Sequence, residues 1–174
     1  MSNTSEINIA LITSEDAVAL NHIMVSNKTY FERYMPQTVA KNLTLKGSHH
    51  FIANISEDAR VKKQLLYTIK EQDELIGLVY IKELDWEKKQ GEFAYCLAEN
   101  FSGKGVISSA IKKLTAIAFE DLNLQNLIII AHKENIGSIK VAEKCGFQHT
   151  KTLKNEFTPA GENPLDMELY ELKR

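Results

Sequence analysis

Hydrophobic residues along the chain recur first at strand spacing and then at helix spacing, and these changes predict the order of its elements. Weak alternation over residues 7–12 predicts a first strand. Thr13 and Asp16 have the hydroxyl and carboxylate spacing of a capping box, which predicts a helix up to about residue 26. Residues 28–41, which contain Pro36 and several aromatics, predict an irregular segment. A second helix over residues 43–55 and a polar connection over residues 56–63 follow.

Three strand-like segments occupy the middle of the chain, over residues 64–70, 75–84 and 91–98. Polar turns separate them, and these turns are too short for the crossover that a parallel pair requires. The three segments therefore predict an antiparallel meander.

The order then changes to alternating helices and strands. Residues 106–121 and 135–145 have helical spacing, and the β-branched run 127–131 between them predicts a buried strand. Gly146 is placed to end the second helix in a left-handed conformation. Closing strands are predicted over residues 147–153 and 167–172. The pattern predicts one domain over residues 1–174, a mixed α/β (α+β) fold of three layers whose largely antiparallel sheet of six to seven strands is flanked by helices.

Composition narrows the function classes. Hydrophobic residues make up 44% of the 174 residues, charged residues 25%, and the net charge is −2, which is ordinary for a globular protein and argues against nucleic acid as the main partner. No apolar run approaches the ~20 residues of a membrane helix, and the amino terminus lacks the features of a secretion signal. We therefore expect a cytoplasmic protein with no membrane partner. Cys96 and Cys145 are expected to be buried free thiols, and no metal-binding spacing is present.

A glycine-rich turn joins the third meander strand to the following helix. Gly103 and Gly105 lack Cβ atoms, so the backbone there can approach a ligand closely. The first N–H groups of the helix have no intrahelical acceptor, and Lys104 adds a charge, so the turn suits a diphosphate. On its own this short motif also fits an ordinary turn. A P-loop is absent, and Ser108 stands where a dinucleotide fingerprint needs its third glycine.

A second motif begins the helix after the buried strand, with Asn135 and Ser138 at its start. With this motif in place, the chain resembles the GNAT N-acetyltransferase superfamily, and most closely its Rim-type branch of ribosomal-protein acetyltransferases. The turn Asn100-Phe101-Ser102-Gly103-Lys104-Gly105 matches a family pattern of Gln/Arg-x-x-Gly-x-Gly/Ala. The other matching segments are Asn135-x-x-Ser138 and Glu143-Lys144-Cys145-Gly146-Phe147.

The resemblance implies acetyl-coenzyme A (acetyl-CoA) as co-substrate and assigns roles to residues of this chain. The backbone of Leu97 and Ala98 would pair with the pantetheine arm. Asn135 would fix the cofactor near its thioester, and Ser138 would lie close to the sulfur. The diphosphate would be held by backbone amides of the turn and helix start: Ser102, Gly103, Lys104, Gly105, Val106 and Ile107.

The implied reaction is direct transfer of the acetyl group to a primary amine, which must first lose a proton. Glu92, on the strand before the turn, is the candidate base, with an ion-paired surface carboxylate as the alternative. Ser138 is the candidate proton donor to the departing thiolate, with a simple helix-capping role as the alternative. Many relatives place a tyrosine seven residues after the asparagine, where this chain has Ala142.

The resemblance leaves the acceptor open. It can be the N-terminal amine of a ribosomal or other protein, or a small amine such as an antibiotic, a polyamine or an amino acid. A third hypothesis is a CoA-binding module without catalysis. Dimers are common among such relatives, so a homodimer is compatible with this interpretation, whereas direct binding of nucleic acid is not expected.

Overall fold

The computed structural model describes residues 6–174, which form seven strands and six α-helices. The strands are β1 (Ile7–Leu11), β2 (Leu65–Glu71), β3 (Glu74–Asp85), β4 (Gln90–Leu97), β5 (Asn126–His132), β6 (Gln148–Phe157) and β7 (Leu165–Lys173). The helices are α1 (Ala17–Ser26), α2 (Lys28–Glu32), α3 (Pro36–Lys41), α4 (Leu45–Arg60), α5 (Val106–Glu120) and α6 (Ile136–Lys144). Short 3-10 turns cover Ser14–Asp16 and Glu99–Phe101. The prediction about a secretion signal falls partly on residues 1–5, outside the described residues.

One mixed sheet contains all seven strands, in the order β1-β2-β3-β4-β5-β7-β6. β1 pairs antiparallel with β2, and β7 pairs antiparallel with both β5 and β6. β4 and β5 are parallel. The predicted mixed, mostly antiparallel sheet of six to seven strands is therefore confirmed.

The described chain forms two compact units. The first comprises residues 6–80 and Tyr95–Val106, and in it α1 packs on α4 and α4 packs on β2. The second comprises Ile81–Ala94 and Ile107–Arg174, and in it α6 packs on β5. The expectation of one domain over residues 1–174 stays a prediction.

A buried polar network holds the helices of the first unit in place. Asn42 is fully buried, accepts a 2.8 Å hydrogen bond from Ser48 Oγ at its Oδ1, and donates from Nδ2 to Thr38 O at 2.8 Å. Thr38 Oγ1 in turn lies 3.1 Å from the hydroxyl of Tyr80, whose pKa burial raises to about 12. Because each member is satisfied, the network fixes α3, α4 and β3 in one arrangement.

Two local predictions can be compared with the structure. Gly146 follows α6 with φ of +86°, the left-handed conformation expected of a helix-ending glycine. Cys96 in the first unit and Cys145 in the second are free thiols as predicted, but both residues are half-buried rather than buried. Burial raises the pKa of Cys96 to about 12, and Cys145 donates from Sγ to the carbonyl of Ser108 at 3.4 Å. Among the helices within residues 6–174, none has the length and apolar character needed to cross a membrane.

Two segments differ from the sequence predictions. Residues 28–41 are not irregular but contain α2 and α3. Pro36 is compatible with α3 because it occupies the first turn, where its missing N–H costs nothing. α4 continues to Arg60 through a segment predicted to be a polar connection. A Glu57–Arg60 ion pair one turn apart is compatible with a solvent-facing helix end, so polarity alone was misleading there.

Candidate active site

The end of β4 supplies the first part of the candidate site. Parallel pairing with β5 covers only the first four residues of β4, so Leu97 lies beyond it. Ala98 donates its N–H to Ile76 O at 2.8 Å, and its carbonyl accepts from Phe101 N at 2.9 Å. Since successive residues of a strand direct their backbone groups to opposite edges, those of Leu97 point away from β3. Of the two residues predicted to pair with the pantetheine arm, Leu97 is the better placed.

Gly77 allows β3 to approach this strand end closely. A Cβ atom built on Gly77 would lie 2.7 Å from Cys96 O and 3.0 Å from Leu97 Cδ1. A backbone oxygen cannot move aside as a flexible side chain can. The glycine is therefore required for the position of the end of β4 in the first unit.

The glycine turn follows, and its conformation is one that glycine favours. Gly103 and Gly105 have φ of +78° and +79°, and a Cβ atom at either position would meet nothing within 4 Å. Both residues are needed for backbone conformation, and both border open space. α5 begins at Val106 directly behind them, so its unbonded first N–H groups lie next to the turn. Lys104 is exposed, and its ammonium lies 5.3 Å from the centre of the Phe101 ring.

Two residues that sequence reasoning did not assign to the site hold the turn from the side. Asn27 accepts a hydrogen bond from the Glu99 N–H at its Oδ1, at 3.1 Å. The Tyr30 hydroxyl lies 3.2 Å from Ser102 Oγ. Both contacts join residues 72 positions apart, so no local spacing predicts them. The aromatic residues within 28–41 were the one feature of the sequence that could have indicated a role for this segment in the site.

Asn135 and Ser138 come together at the start of α6. Asn135 is its N-cap, accepting from the Ser138 N–H at Oδ1 at 3.2 Å, and its own N–H donates to His132 O at 2.8 Å. The cap uses the amide oxygen of Asn135 and leaves its NH₂ group as the donor for a ligand. Ala142, where many relatives have a tyrosine, is fully buried in this helix.

Glu92 combines a buried carboxylate with a cation. Its side chain is 12% exposed, and Lys82 Nζ lies 3.3 Å from its Oε1. Burial raises the pKa of Glu92, the Lys82 ammonium opposes that shift, and the charges of Glu83 and Glu156 add to it. Because burial outweighs the ion pair, Glu92 takes up a proton more readily than a surface glutamate does. The described residues hold no group of three or more His, Cys, Asp or Glu side chains suited to a metal ion.

Comparison with known proteins identifies the class. Residues 7–148 match the model of the "Acetyltransferase (GNAT) domain", so the chain belongs to the GNAT acetyltransferase family. Among curated relatives, the "Putative ribosomal N-acetyltransferase YdaF" of Bacillus subtilis (strain 168) is 28% identical over 158 residues, covering 81% of this chain and 77% of that protein.

Solved structures agree with the family. The microcin C7 self-immunity acetyltransferase MccE, in complex with acetyl-CoA and AMP, has a TM-score of 0.89 at 26% identity, with 98% of this chain and 94% of that chain covered. RimL, a ribosomal L7/L12 alpha-N-protein acetyltransferase in complex with coenzyme A, has a TM-score of 0.91 at 16% identity, covering 98% and 95%. The latter shares the fold.

The fold and the family together define the enzyme class. The chain is an acetyl-CoA-dependent N-acetyltransferase of the GNAT type, with acetyl-CoA as co-substrate and an amine as acceptor. The resemblance to the Rim-type branch is confirmed by these comparisons. The individual residue roles and the identity of the amine stay predictions.

Proposed function

We propose that the acceptor is the N-terminal amine of a ribosomal or other protein. The main support is the match to the "Putative ribosomal N-acetyltransferase YdaF" over 81% of this chain. The family match also begins at residue 7, so it includes the first unit and not only the glycine turn. A ribosomal acceptor implies that the enzyme works in the cytoplasm, where ribosomes are assembled. The homodimer stays a prediction that light scattering of the purified chain will check.

We propose that the cofactor binds along the glycine turn and the strand end and helix start beside it in sequence. The main support is that Gly103 and Gly105 are left-handed, border open space and lie directly ahead of α5. Amides of residues 102–107 bind the diphosphate, with Lys104 adding charge at the rim. The backbone of Leu97 pairs with the pantetheine arm, and Ala98 supports it through its bond to β3. The Asn135 NH₂ group donates to the cofactor near the thioester.

The chemistry follows from the remaining two residues. Glu92, with its raised pKa, accepts the proton of the acceptor ammonium, directly or through water. The free amine attacks the thioester carbonyl, and backbone N–H groups at the strand end stabilise the oxyanion. When the C–S bond breaks, Ser138 gives its proton to the CoA thiolate and is reprotonated by the second proton of the attacking nitrogen, directly or through water. Glu92 then releases its proton to solvent. The products are the acetylated amine and CoA thiol.

An acceptor panel tests the proposal. The enzyme is incubated with acetyl-CoA and unblocked peptides beginning with serine or alanine, and thiol release is followed together with the acetylation site by mass spectrometry. The matched controls are the same peptides with a blocked N-terminus and an internal lysine. We expect modification of unblocked peptides at the α-amine only. Equal turnover of blocked and unblocked peptides would contradict the proposal.

A small-molecule acceptor is the second candidate. It is favoured by the likeness to the microcin immunity enzyme MccE over 98% of this chain at 26% identity. Polyamines, amino acids and aminoacyl nucleotides form the second arm of the panel. A kcat/KM for one of these at least about 100-fold above the best peptide would establish this candidate instead. If CoA binds but no amine in either arm yields free thiol, a CoA-binding module without catalysis is favoured.

A further inference from the structure

Two hydroxyl groups meet beside the glycine turn. The Tyr30 hydroxyl, on α2, lies 3.2 Å from Ser102 Oγ, the residue directly before Gly103. The Tyr30 ring is 42% exposed and Ser102 is exposed, so this pair faces solvent and is not part of the core. The two hydroxyl groups are therefore accessible to a ligand bound at the glycine turn.

The position of Tyr30 is set by its neighbours. Phe31, the next residue, is 2% exposed and anchors α2 in the core of the first unit, with its ring centre 6.0 Å from that of Tyr30. Asn27, at the start of α2, donates from Nδ2 to Ile23 O at 3.1 Å and accepts from the Glu99 N–H at Oδ1. The Glu99–Asn27 bond and the Tyr30–Ser102 contact thus both join residues 27–30 to the segment Glu99–Ser102. A buried anchor and a second bond make the Tyr30–Ser102 contact a defined one.

The Tyr30 and Ser102 hydroxyls can hydrogen-bond to each other in only one direction at a time. Each hydroxyl carries one hydrogen, so only one of the two can donate within the pair. If Tyr30 donates to Ser102 Oγ, the Ser102 hydrogen is directed outward and is available to an anion. Each bond of such a chain polarises the next, so an anion accepting from Ser102 strengthens the Tyr30 bond as well. Binding of a diphosphate favours this direction.

We propose that Tyr30 is a positioning residue for acetyl-CoA, donating to Ser102 Oγ so that the Ser102 hydroxyl donates to the diphosphate. This inference rests on the proposed function of residues 102–107. The cofactor site then includes α2 in addition to the glycine turn and α5. Tyr30 acts on binding of the co-substrate and not on the acetyl transfer itself.

Kinetics of Tyr30→Phe test the inference, because the change removes only the hydroxyl. We expect the KM for acetyl-CoA to rise about 3- to 10-fold, the effect of one net hydrogen bond, with kcat unchanged. Tyr34→Phe is the matched control, since Tyr34 is 47% exposed on the same segment and its ring contacts the Arg33 guanidinium. It should leave both constants unchanged. With S-acetylpantetheine, which lacks the diphosphate, Tyr30→Phe should equal wild type.

A double-mutant cycle separates positioning from a general loss of structure. In a Ser102→Ala background, Tyr30→Phe should raise the KM no further, because its partner is gone. Additive effects of the two changes would overturn the inference, as would an equal loss with S-acetylpantetheine or an unchanged KM in Tyr30→Phe. Failure of the wild-type enzyme to bind CoA is a different outcome, because it would overturn the proposed cofactor site itself.

Discussion

Glu92 illustrates how two opposing influences on one residue set its chemistry. A carboxylate 12% exposed is held back from ionising by burial, while the Lys82 ammonium 3.3 Å away favours the charged form. The sequence places Glu92 on the correct strand but says nothing about Lys82, because the pairing depends on how β3 and β4 align. The structure shows the ion pair, and that pair is compatible with a base because burial still determines the direction of the pKa shift.

Lys82→Met tests this balance through the pH dependence of kcat/KM. The ammonium lowers the pKa of Glu92, so its removal raises that pKa further and keeps the base protonated over a wider range. The acidic limb of the profile should move to higher pH. Lys88→Met is the control, since it removes an exposed cation paired with Asp85 at 3.1 Å. An unchanged limb in Lys82→Met would exclude Glu92 as the base.

The Ser138 N–H donates to the Asn135 cap of α6 and the Ser138 hydroxyl is the proposed proton donor, so a substitution can separate these two roles. Ser138→Ala keeps the N–H that Asn135 accepts, so the start of α6 and the affinity for CoA should be preserved. Loss of the hydroxyl should lower kcat at least about tenfold if it protonates the thiolate. The measurement is turnover at saturating acetyl-CoA beside a CoA titration. Wild-type turnover would leave Ser138 with a capping role only.

At the scale of elements, the sequence predicted most strands and the helices α5 and α6 well, but it missed α2, α3 and the last five residues of α4. β2 to β5, α5 and α6 lie within one or two residues of their predicted bounds because alternation, helical spacing and Gly146 each mark them. α2 and α3 span five and six residues, less than two turns, and so carry little periodic signal. Pro36, which lies in the segment predicted to be irregular, begins α3.

In the candidate site, too, features that depend on neighbouring residues were predictable and long-range contacts were not. The glycine turn and the Asn135 cap depend on residues close in sequence, so their conformation could be predicted from local spacing. The Asn27 and Tyr30 contacts join residues 72 positions apart and depend on the packing of α2. The hydrogen bond from the Ala98 N–H to Ile76 O likewise depends on how β3 and β4 align, which sequence spacing does not specify.

Gly77→Ala tests the close approach of β3 to the end of β4. The new methyl would meet Cys96 O at 2.7 Å, so the strands must separate, at a cost of about 1–3 kcal/mol. We expect a lower melting temperature together with a higher KM for acetyl-CoA, since Leu97 moves. Gly137→Ala is the stability control, because its Cβ would lie 3.8 Å from the nearest atom, Asn135 Oδ1. Equal melting temperatures for Gly77→Ala and wild type would contradict this account.

For the whole molecule, cofactor binding is linked to folding. A ligand that binds only the folded state stabilises it by about 2.7 kcal/mol at 100 times its Kd. For a chain of this size that corresponds to a rise of roughly 5–10 °C in melting temperature. The net charge of −2 is small, so this gain depends on specific contacts with the phosphates rather than on overall attraction.

The melting temperature of the full chain with and without CoA tests the central claim most directly. Wild type should be stabilised by CoA, and Gly103→Asp should not, because a carboxylate there enters the space assigned to the diphosphate. Gly161→Asp is the matched control, since Gly161 has φ of +77° and equally open surroundings, so backbone strain is the same. It should keep the full CoA shift. A Gly103→Asp enzyme stabilised by CoA as strongly as Gly161→Asp would show that the diphosphate binds elsewhere.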